Sequence, residues 1–247
     1  MSTLDMLLDG HLGGYIRGGD PGTYCPALWT WIVREYGIRS VLDIGCGEGH
    51  STRFFHSLGC EVLGVDGCAQ AIRDSVIPEH VVQHDLCDGP FVAPRAFDLV
   101  WSCEFLEHVD ADFIGATVAT FACAKKLAMV THAVPGQPGH HHVNCQWSNY
   151  WIDLFDQVGL SYNVGLSLRS RAAALADHRG RNHYVRSGLA VVRDPASTPT
   201  VGANAVTQLA NTIDEDRATY SARLKRVLIA SGGSVMKRAN KLRRRAA

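Results

Sequence analysis

The sequence predicts an α/β protein whose centre is a doubly wound, mostly parallel sheet, and three observations support this. Short runs rich in Val, Leu and Ile recur from residue 40 onward, as buried parallel strands do. Segments of helical length separate these runs, and a glycine-rich turn follows the first of them. Repeated strand–helix units of this length place helices on both faces of one sheet. The candidate strands are Ser40–Ile44, Glu61–Val65, Val81–His84, Phe97–Ser102 and Leu127–Thr131.

The remaining elements follow from the same patterns. The predicted helices are Glu48–Leu58, Ala69–Val76, Phe105–Ala124 and Ser148–Val158, and two further strands are predicted over Ser161–Leu166 and His183–Val192. The apolar spacing of Asn204–Ala230 is helical. The predicted organisation is therefore an N-terminal lid or helix (1–39), a main domain (40–193), and a linker with a basic helical extension (194–247).

The composition is that of a globular domain with enough apolar material for a sizeable core. Hydrophobic residues make up 46% of the 247 residues, which excludes a mostly disordered chain and a collagen-like repeat. The net charge of +0 hides an asymmetry, because the segment from Arg217 to Ala247 has ten Lys or Arg and no acid. A basic segment of this kind can bind nucleic acid or a membrane, or it can dock on an acidic protein surface. The excess of acid in the rest of the chain favours docking, on the same chain or on a second copy. We therefore expect a homo-oligomer, most simply a dimer.

The sequence predicts a cytoplasmic protein. Its first twenty residues lack the basic start and apolar run of a signal peptide, and no stretch is long and apolar enough for a membrane span. The eight cysteines include no CxxC pair, and several lie within apolar runs, as buried free thiols do. This pattern is typical of a reducing compartment.

The strongest motif is VLDIGCGEG at residues 41–49, in which an apolar strand enters a glycine turn and a helix follows. Gly45 and Gly47 allow the backbone to turn tightly and to approach a ligand closely. Asp43 in the strand and Glu48 in the turn would repel a dinucleotide pyrophosphate. They would attract the ammonium and sulfonium groups of S-adenosylmethionine.

Two further acids are predicted at the carboxyl ends of successive strands. Asp66 ends the second strand, where a carboxylate can accept hydrogen bonds from both ribose hydroxyls. Asp85 ends the third strand, where it can bind an adenine amino group while Leu86 packs on the ring. The sequence therefore predicts a nucleoside site at this edge of the sheet.

These motifs resemble those of the class I S-adenosylmethionine-dependent methyltransferases. VLDIGCGEG matches the glycine motif, GVD the ribose-binding strand end, HDL the adenine-contacting one, and FDLVWSCEFLEHV the fourth-strand motif. The resemblance covers about Val41 to Thr131 and implies a seven-stranded Rossmann-like sheet with S-adenosylmethionine as cofactor. Carried over residue by residue, it gives the cofactor-binding candidates Asp43, Gly45, Cys46, Gly47, Asp66, Asp85, Leu86 and Cys103.

The Gly-rich, aromatic segment before the first strand is a candidate lid. In this fold such a segment often closes over the cofactor, which makes Tyr15, Arg17 and Tyr24 candidate cofactor-binding residues. Arg17 could meet the methionine carboxylate. A loose N-terminal loop with a packed aromatic residue is the alternative interpretation.

Two segments could supply the base that a hydroxyl acceptor requires. The first is CEFLEH at the end of the fourth strand, where Glu104 is the candidate. The second is the loop after the fifth strand, whose His141 and His142 are candidates because a histidine titrates near neutral pH. Glu104 and His132 could also converge on a metal, either Mg²⁺ or another divalent cation, and the presence of histidine suits a transition metal better.

The acceptor class stays open at this level. Polar and aromatic residues around 140–151 favour a sugar, and scattered motifs resemble actinobacterial sugar O-methyltransferases such as those of methylmannose polysaccharide synthesis. The predicted function is O-methylation of a hydroxyl on a small molecule or oligosaccharide, with His141 or His142 as the general base and Glu104 in support. The alternatives are a carboxyl or phenolic acceptor, a nucleic acid held by the basic tail, and a non-catalytic binding module.

Overall fold

The computed structural model describes residues 15–218. Seven strands form one sheet in the order β3-β2-β1-β4-β5-β7-β6. Strands β1 to β5 are parallel, and β7 runs antiparallel to both β5 and β6. The strands are β1 (Ser40–Ile44), β2 (Glu61–Asp66), β3 (Val81–Gln83), β4 (Phe97–Ser102), β5 (Ala124–Val130), β6 (Leu160–Tyr162) and β7 (Leu189–Arg193).

Helices cover both faces of this sheet, as the sequence predicts. The α-helices are α1 (Pro26–Tyr36), α2 (His50–Ser57), α3 (Ala69–Arg73), α4 (Ile114–Phe121), α5 (Ser148–Gln157), α6 (Val164–Ala174), α7 (His183–Ser187) and α8 (residues 203–218). Short 3₁₀ turns lie between them at Pro21–Thr23, Pro78–His80, Leu86–Asp88, Leu106–His108, Ala111–Phe113 and Asp177–Gly180. None of the helices within the described residues is long and apolar enough to cross a membrane.

The order of the strands reverses between β1 and β4, which pair in parallel. Both strands are buried along their whole length, which explains why the sequence runs are continuously apolar instead of alternating. The chain leaves β1 toward one side of the sheet and β4 toward the other. A crevice therefore opens at the carboxyl ends of these strands, where ligands bind in open α/β sheets.

An aromatic cluster fixes α1 and α7 against the sheet. The rings of Trp29 and Trp101 meet edge to face at 5.7 Å between centroids, and Tyr184 stacks on Trp101 at 5.4 Å. All three side chains are buried. Helix α1, predicted to belong to an N-terminal lid or helix, thus contributes to the main core.

Two predicted strands are partly wrong, because asparagine caps begin helices inside them. The segment predicted as a strand over Ser161–Leu166 is extended only to Tyr162, and the side chain of Asn163 then caps α6 by accepting from the amide of Leu166 at 2.8 Å. The segment His183–Val192 begins as helix α7. Asn182 caps it in the same way, and the strand follows only from Leu189.

The predicted helix Phe105–Ala124 is too long. Only Ile114–Phe121 is α-helical, and two 3₁₀ turns precede it. The side chain of Asp110 accepts from the amide of Asp112 at 2.9 Å and starts a new turn there, which interrupts the helix. The residues after β4 are consequently arranged as a loop around the crevice.

Helix α8 belongs to the core, although the sequence predicts it as part of an extension. Val206, Ala210 and Ile213 are buried in the cluster that includes residues of α4 and α5. The carboxylate of Asp214 accepts from the amide of Gly115 at 2.9 Å, in the first turn of α4. Most of the predicted basic tail, residues 219–247, lies outside the described residues.

Candidate active site

A cavity of about 750 Å³ opens at the carboxyl ends of the central strands. Its walls come from Trp29 and from six segments of the sequence: residues 15–24, 43–51, 65–68, 84–87, 101–110 and 140–143. The cavity is large enough for a nucleoside together with a small acceptor. All of the predicted cofactor residues except Arg17 lie in its wall.

The glycine turn forms the floor between β1 and α2. Gly45 has a φ of +70°, and a Cβ at this position would collide with the ring of Phe105. Its amide and that of Cys46 donate to the carbonyl of Val65 at 2.8 and 3.1 Å, which holds the turn against β2. Gly47 also has a positive φ, of +55°, but faces open space. The turn therefore requires glycine at Gly45 for two reasons, conformation and close packing.

Two predicted acids are fixed by hydrogen bonds at the strand ends. Asp43 accepts from the hydroxyls of Ser51 at 2.5 Å and Thr52 at 2.7 Å. Burial nevertheless raises the pKa of Asp43 to about 6, since these hydrogen bonds only partly offset the loss of water. Asp66 accepts from the amides of Gly47 and Cys68, both at 2.8 Å, and burial raises its pKa as well.

The third strand end presents an acid beside an apolar side chain, as predicted. Asp85 caps the following 3₁₀ turn by accepting from the amide of Cys87 at 2.8 Å, and Leu86 is buried in the wall. Cys103 lies in the wall after β4. Burial raises the pKa of its thiol well above the usual value, so this cysteine stays protonated.

The described wall of the cavity is acidic. It contains the carboxyl side chains Asp20, Asp43, Glu48, Asp66, Asp85, Glu104 and Asp110, and it contains neither Lys nor Arg. A dinucleotide pyrophosphate would find no cation among these described residues to neutralise it. A ligand with an ammonium and a sulfonium group would be attracted by them.

The segment before α1 closes one side of the cavity through Glu48. Its carboxylate accepts from the hydroxyl of Tyr15 at 2.7 Å and the amide of Gly18 at 2.8 Å, and the ring of His50 lies 3.2 Å away. Burial raises the pKa of Glu48, but these hydrogen bonds outweigh that effect and leave it below its usual value. Glu48 thus fastens the lid from within, a role that its place in the glycine motif did not reveal.

Tyr15 and Tyr24 lie in the cavity wall, whereas Arg17 does not. The Tyr24 ring packs edge to face on Trp29 at 5.1 Å. The side chain of Arg17 is 85% exposed, and its Nε lies 3.8 Å from the carboxylate of Asp74. Contact between Arg17 and a cofactor stays a prediction that would require this side chain to turn inward.

Glu104 lies in the wall with its carboxylate held from two sides. Its backbone has a φ of +52°, a conformation that non-glycine residues adopt mainly where the surroundings enforce it. The hydroxyl of Thr131 donates to its Oε1 at 3.1 Å, and Nδ1 of His183 lies 3.1 Å from its Oε2. The other ring nitrogen of His183 lies 2.9 Å from Asp20, so this histidine bridges two carboxylates.

Sequence reasoning missed Asp20 and His183. Asp20 was one acid in a predicted loop, and His183 stood at the start of a segment predicted as a strand. The two residues are 163 positions apart, and they meet because α7 packs beside the 3₁₀ turn at Pro21–Thr23. The only local signal was Asn182, a helix-capping residue directly before His183.

Of the predicted metal pair, Glu104 lies in the cavity wall and His132 does not, so a shared metal site stays a prediction. His132 is buried outside the cavity wall, and its Nε2 lies 3.0 Å from the hydroxyl of Ser148 at the start of α5. Its Nδ1 lies 3.4 Å from the carbonyl of Ala133. Both ring nitrogens therefore have protein partners, and burial lowers the pKa of this imidazole, so it serves the packing of α5.

The three adjacent histidines differ in whether they line the cavity. His140 and His141 lie in the wall, and His141 has a φ of +52°. His142 is not part of the wall, and its ring meets the ring of His108 edge to face at 5.2 Å. Of the two predicted catalytic histidines, only His141 is positioned to meet a ligand.

Glu107 is a fully buried acid beside this histidine pair. Burial and the neighbouring carboxylate of Glu104 raise its pKa to about 8, so it is mainly protonated at neutral pH. Burial lowers the pKa of His108 to about 4, which keeps that ring neutral. Glu107, His108 and His142 each offer a ligand atom within 4.8 Å of the others.

The strand order, the glycine turn and the acids at three strand ends define the Rossmann-like α/β fold of the class I methyltransferases. Residues 42–121, about a third of the chain, match a family described as "Methyltransferase domain". A solved structure of the sugar N-methyltransferase KedS8 from Streptoalloteichus has the same fold. The TM-score is 0.52 at 16% sequence identity, over 78% of this chain and 93% of that one. Residues 42–121 are thus similar to a methyltransferase domain, and the fold around them is that of the class I methyltransferases.

The curated relatives are similar over shorter segments. A malonyl-[acyl-carrier protein] O-methyltransferase from Enterobacter lignolyticus is 43% identical over 65 residues, which are 25% of this chain and 26% of that protein. A ubiquinone biosynthesis O-methyltransferase from Aromatoleum aromaticum is 34% identical over 109 residues, or 40% and 45%. The chain thus spans less than half the length of these relatives.

Proposed function

We propose that this protein is an S-adenosylmethionine-dependent O-methyltransferase that acts on a hydroxyl group of a small molecule or oligosaccharide. The observation that carries the proposal is the carboxylate of Glu104, held by Thr131 and His183 in the wall of the same cavity as the strand-end acids. A fixed proton acceptor beside a cofactor site is what methylation of a neutral hydroxyl requires.

The described residues fit S-adenosylmethionine. In this proposal Asp66 accepts from the ribose hydroxyls, Asp85 and Leu86 hold the adenine, and Asp43 with the glycine turn faces the methionine part. The acidic wall around them suits a cationic cofactor. The lid fastened by Tyr15 to Glu48 excludes water from one side.

The reaction needs little from the protein except alignment and a proton acceptor. When bound, S-adenosylmethionine supplies a methyl group whose bond to sulfur breaks as the acceptor oxygen attacks. Glu104 receives the hydroxyl proton. His183, placed between Glu104 and Asp20, keeps the carboxylate in one orientation and stabilises its charge before the transfer. His141 is the second candidate base, since it lies in the opposite segment of the wall.

The names of the relatives support transfer to oxygen, and the sequence of one loop supports a saccharide acceptor. Both curated relatives described above are named O-methyltransferases, which favours transfer to oxygen. The saccharide class is favoured by the histidine- and Asn-rich loop and by Trp147, whose side chain is 62% exposed beside it. A carboxyl or phenolic acceptor would use a similar cavity and remains the alternative within the same reaction.

Titration of the full chain with S-adenosylmethionine tests the cofactor. A panel of saccharides, phenols, carboxylic acids and RNA, with release of S-adenosylhomocysteine as the readout, tests the acceptor. The same assays with added Mg²⁺ and with a chelator test whether turnover requires the predicted divalent cation. Release with hydroxylated small molecules supports the proposal. Binding without release on any of them, or release on RNA alone, would overturn it.

Matched variants distinguish the proposed proton acceptor from the proposed cofactor-binding residues. Glu104→Gln should lower turnover by about 100-fold and leave the Kd for S-adenosylmethionine nearly unchanged, because it removes only the proton acceptor. Asp66→Asn should raise that Kd by about 10- to 100-fold through loss of charged hydrogen bonds. Glu61→Gln, at the other end of β2, is the control. Full turnover by Glu104→Gln would transfer the role of base to His141.

A further inference from the structure

Three side chains at the histidine-rich wall of the cavity, His108 in the wall and the other two outside it, place possible ligand atoms close together. Glu107 and His108 lie in the 3₁₀ turn after β4, and His142 lies in the loop after β5. One ligand atom of each lies within 4.8 Å of the other two. The strand order that forms the cavity thus also brings together two imidazoles and a carboxyl group.

The carboxyl group of Glu107 is unusual. The residue is fully buried, and neither of its oxygens has a hydrogen-bond partner among the described residues. A buried polar group without a partner destabilises a fold unless something else compensates. A cation bound between Glu107 and the two histidines would provide that compensation.

The ring of His108 has the hydrogen bond that a metal-binding histidine usually makes, and the ring of His142 is fixed by packing. Nδ1 of His108 lies 3.1 Å from the carbonyl oxygen of His141, so this nitrogen donates and the neutral ring keeps a lone pair on Nε2. Histidines that bind metals usually donate their other N–H to such a carbonyl. The His142 ring lies against Gly139, where any Cβ would overlap it.

Backbone hydrogen bonds hold the two halves of the cluster together. The amides of Val143 and Asn144 both donate to the carbonyl of Glu107, at 2.9 and 3.0 Å. The loop that carries His142 is therefore fastened to the turn that carries Glu107 and His108. Little conformational entropy would be lost when a metal binds.

We propose that Glu107, His108 and His142 bind one divalent transition-metal ion of the Zn²⁺ class. Two imidazoles and one carboxylate match that class, whereas Mg²⁺ prefers oxygen ligands. Glu107 and His142 do not lie in the cavity wall, so the ion fixes the histidine-rich loop from behind. The inference does not depend on the proposed function, because it needs neither cofactor nor acceptor.

Direct metal titration of the full chain tests the proposal. Metal-depleted protein is titrated with Zn²⁺, and with Co²⁺ for its visible absorption, without S-adenosylmethionine. We expect one equivalent of Zn²⁺ to bind with a Kd below about 1 µM. The Co²⁺ spectrum should indicate nitrogen and oxygen ligands. Absence of stoichiometric binding would overturn the proposal.

Variants locate the ion and provide the control. Glu107→Gln keeps the size of a buried neutral side chain, so it should fold, and it should weaken Zn²⁺ binding by at least about 100-fold. His142→Gln should have a similar effect. His80→Gln is the matched control, since His80 pairs with His56 elsewhere on the surface at 4.7 Å between rings. Loss of binding in His80→Gln, or its retention in Glu107→Gln, would place the ion elsewhere and contradict the proposal.

Discussion

Asp43 shows how a single residue can link cofactor binding to pH. Burial raises its pKa to about 6 in the folded protein, above the value of about 3.9 expected for the unfolded chain. The folded state therefore binds the proton more tightly between these two values. This residue's contribution to stability is fully present below about pH 4 and is lost as the pH rises through about 6.

We predict that the pH dependences of stability and of cofactor affinity have opposite signs at Asp43. A cationic ligand favours the ionised carboxylate, so affinity for S-adenosylmethionine should increase as the pH rises from about 5 to 7. The stability of the ligand-free protein should decrease by about 2 kcal/mol from pH 4 to 6 on account of this group. Asp43→Asn, which cannot ionise, should flatten both profiles relative to the wild type.

Urea unfolding and cofactor titration at matched pH values would measure both profiles. The difference between wild type and Asp43→Asn is the relevant quantity, because other carboxyl groups titrate in the same range. Ser51→Ala is a useful companion, since it removes one hydrogen bond that lowers the Asp43 pKa. It should shift the wild-type transition to higher pH. Identical profiles in wild type and Asp43→Asn would refute the assignment.

At the same scale, the sequence predicted the site residues that belong to a local motif. It did not predict those that reach the cavity through contacts between distant segments. Asp43, Asp66 and Asp85 could be predicted as cavity residues because each lies at or near the carboxyl end of a strand that is recognisable in the sequence. Asp20 and His183 could not, because their meeting depends on how α7 packs against a distant turn. Glu48 was found, but its partner Tyr15 lies on a separate segment, so its role in fastening the lid was not.

At the scale of elements, the glycine turn has two positions with similar backbone conformation but different packing. Gly45 and Gly47 both have positive φ values, but only at Gly45 would a Cβ meet another group, the ring of Phe105. We predict that Gly47→Ala costs about 1 kcal/mol of stability, from backbone strain alone. Gly45→Ala should cost about 2 to 4 kcal/mol, because the clash adds to that strain.

Urea unfolding of the two variants would measure the difference. Displacement of Phe105 should also disturb the cavity wall, so Gly45→Ala should bind S-adenosylmethionine more weakly than Gly47→Ala. Gly59→Ala, at a positive φ far from the cavity and facing open space, calibrates the strain. Equal costs at Gly45 and Gly47 would show that close packing is not what requires glycine at Gly45.

A second prediction at this scale concerns how helix α1 begins. Cys25, at its N-cap, makes no side-chain capping bond, and the carboxylate of Asp177 takes that role. It accepts from the amides of Ala27 at 2.9 Å and Leu28 at 3.2 Å. Asp177→Ala should therefore destabilise the protein by about 1 to 2 kcal/mol, and Asp177→Asn by less.

Thermal and urea unfolding of these variants would test the cap. Asp153→Ala, in a helix without a comparable role, is the control and should stay within about 0.5 kcal/mol of wild type. The two parts of the cap are 150 residues apart, so no local pattern could have predicted it. An effect of Asp177→Ala no larger than that of Asp153→Ala would contradict this role.

The elements themselves were predictable where burial fixed their pattern. Strands β1 and β4 have the predicted bounds, because parallel strands buried on both faces form uninterrupted apolar runs. The errors in the strands arose at short segments around Asn163 and Asn182, where a capping side chain selected a helix. The hydrophobic pattern of five residues does not distinguish a helix from a strand. Packing against the sheet decides between them.

The sequence combines an acidic main body with a basic C-terminal segment, and helix α8 ends where that segment begins. Val206, Ala210 and Ile213 are buried, and Asp214 caps α4. Nine of the ten Lys and Arg residues after Asp216 follow residue 218. Two truncations therefore separate the packing role of α8 from the charge of the tail.

We predict that a chain ending after residue 218 keeps the stability and cofactor affinity of the full chain, because the described core is retained. A chain ending after residue 199 exposes the apolar surface beneath α8 and leaves the first turn of α4 without its cap. Loss of three buried side chains and one cap should cost roughly 4 to 8 kcal/mol, enough to unfold a typical domain. Urea unfolding, cofactor titration and salt-dependent RNA retention on all three chains would test both roles. Loss of cofactor affinity in the chain ending after residue 218 would contradict the first prediction and would mean that the basic segment belongs to the site.

Unchanged stability of the chain ending after residue 199 would contradict the second prediction, because α8 would then not contribute to the core.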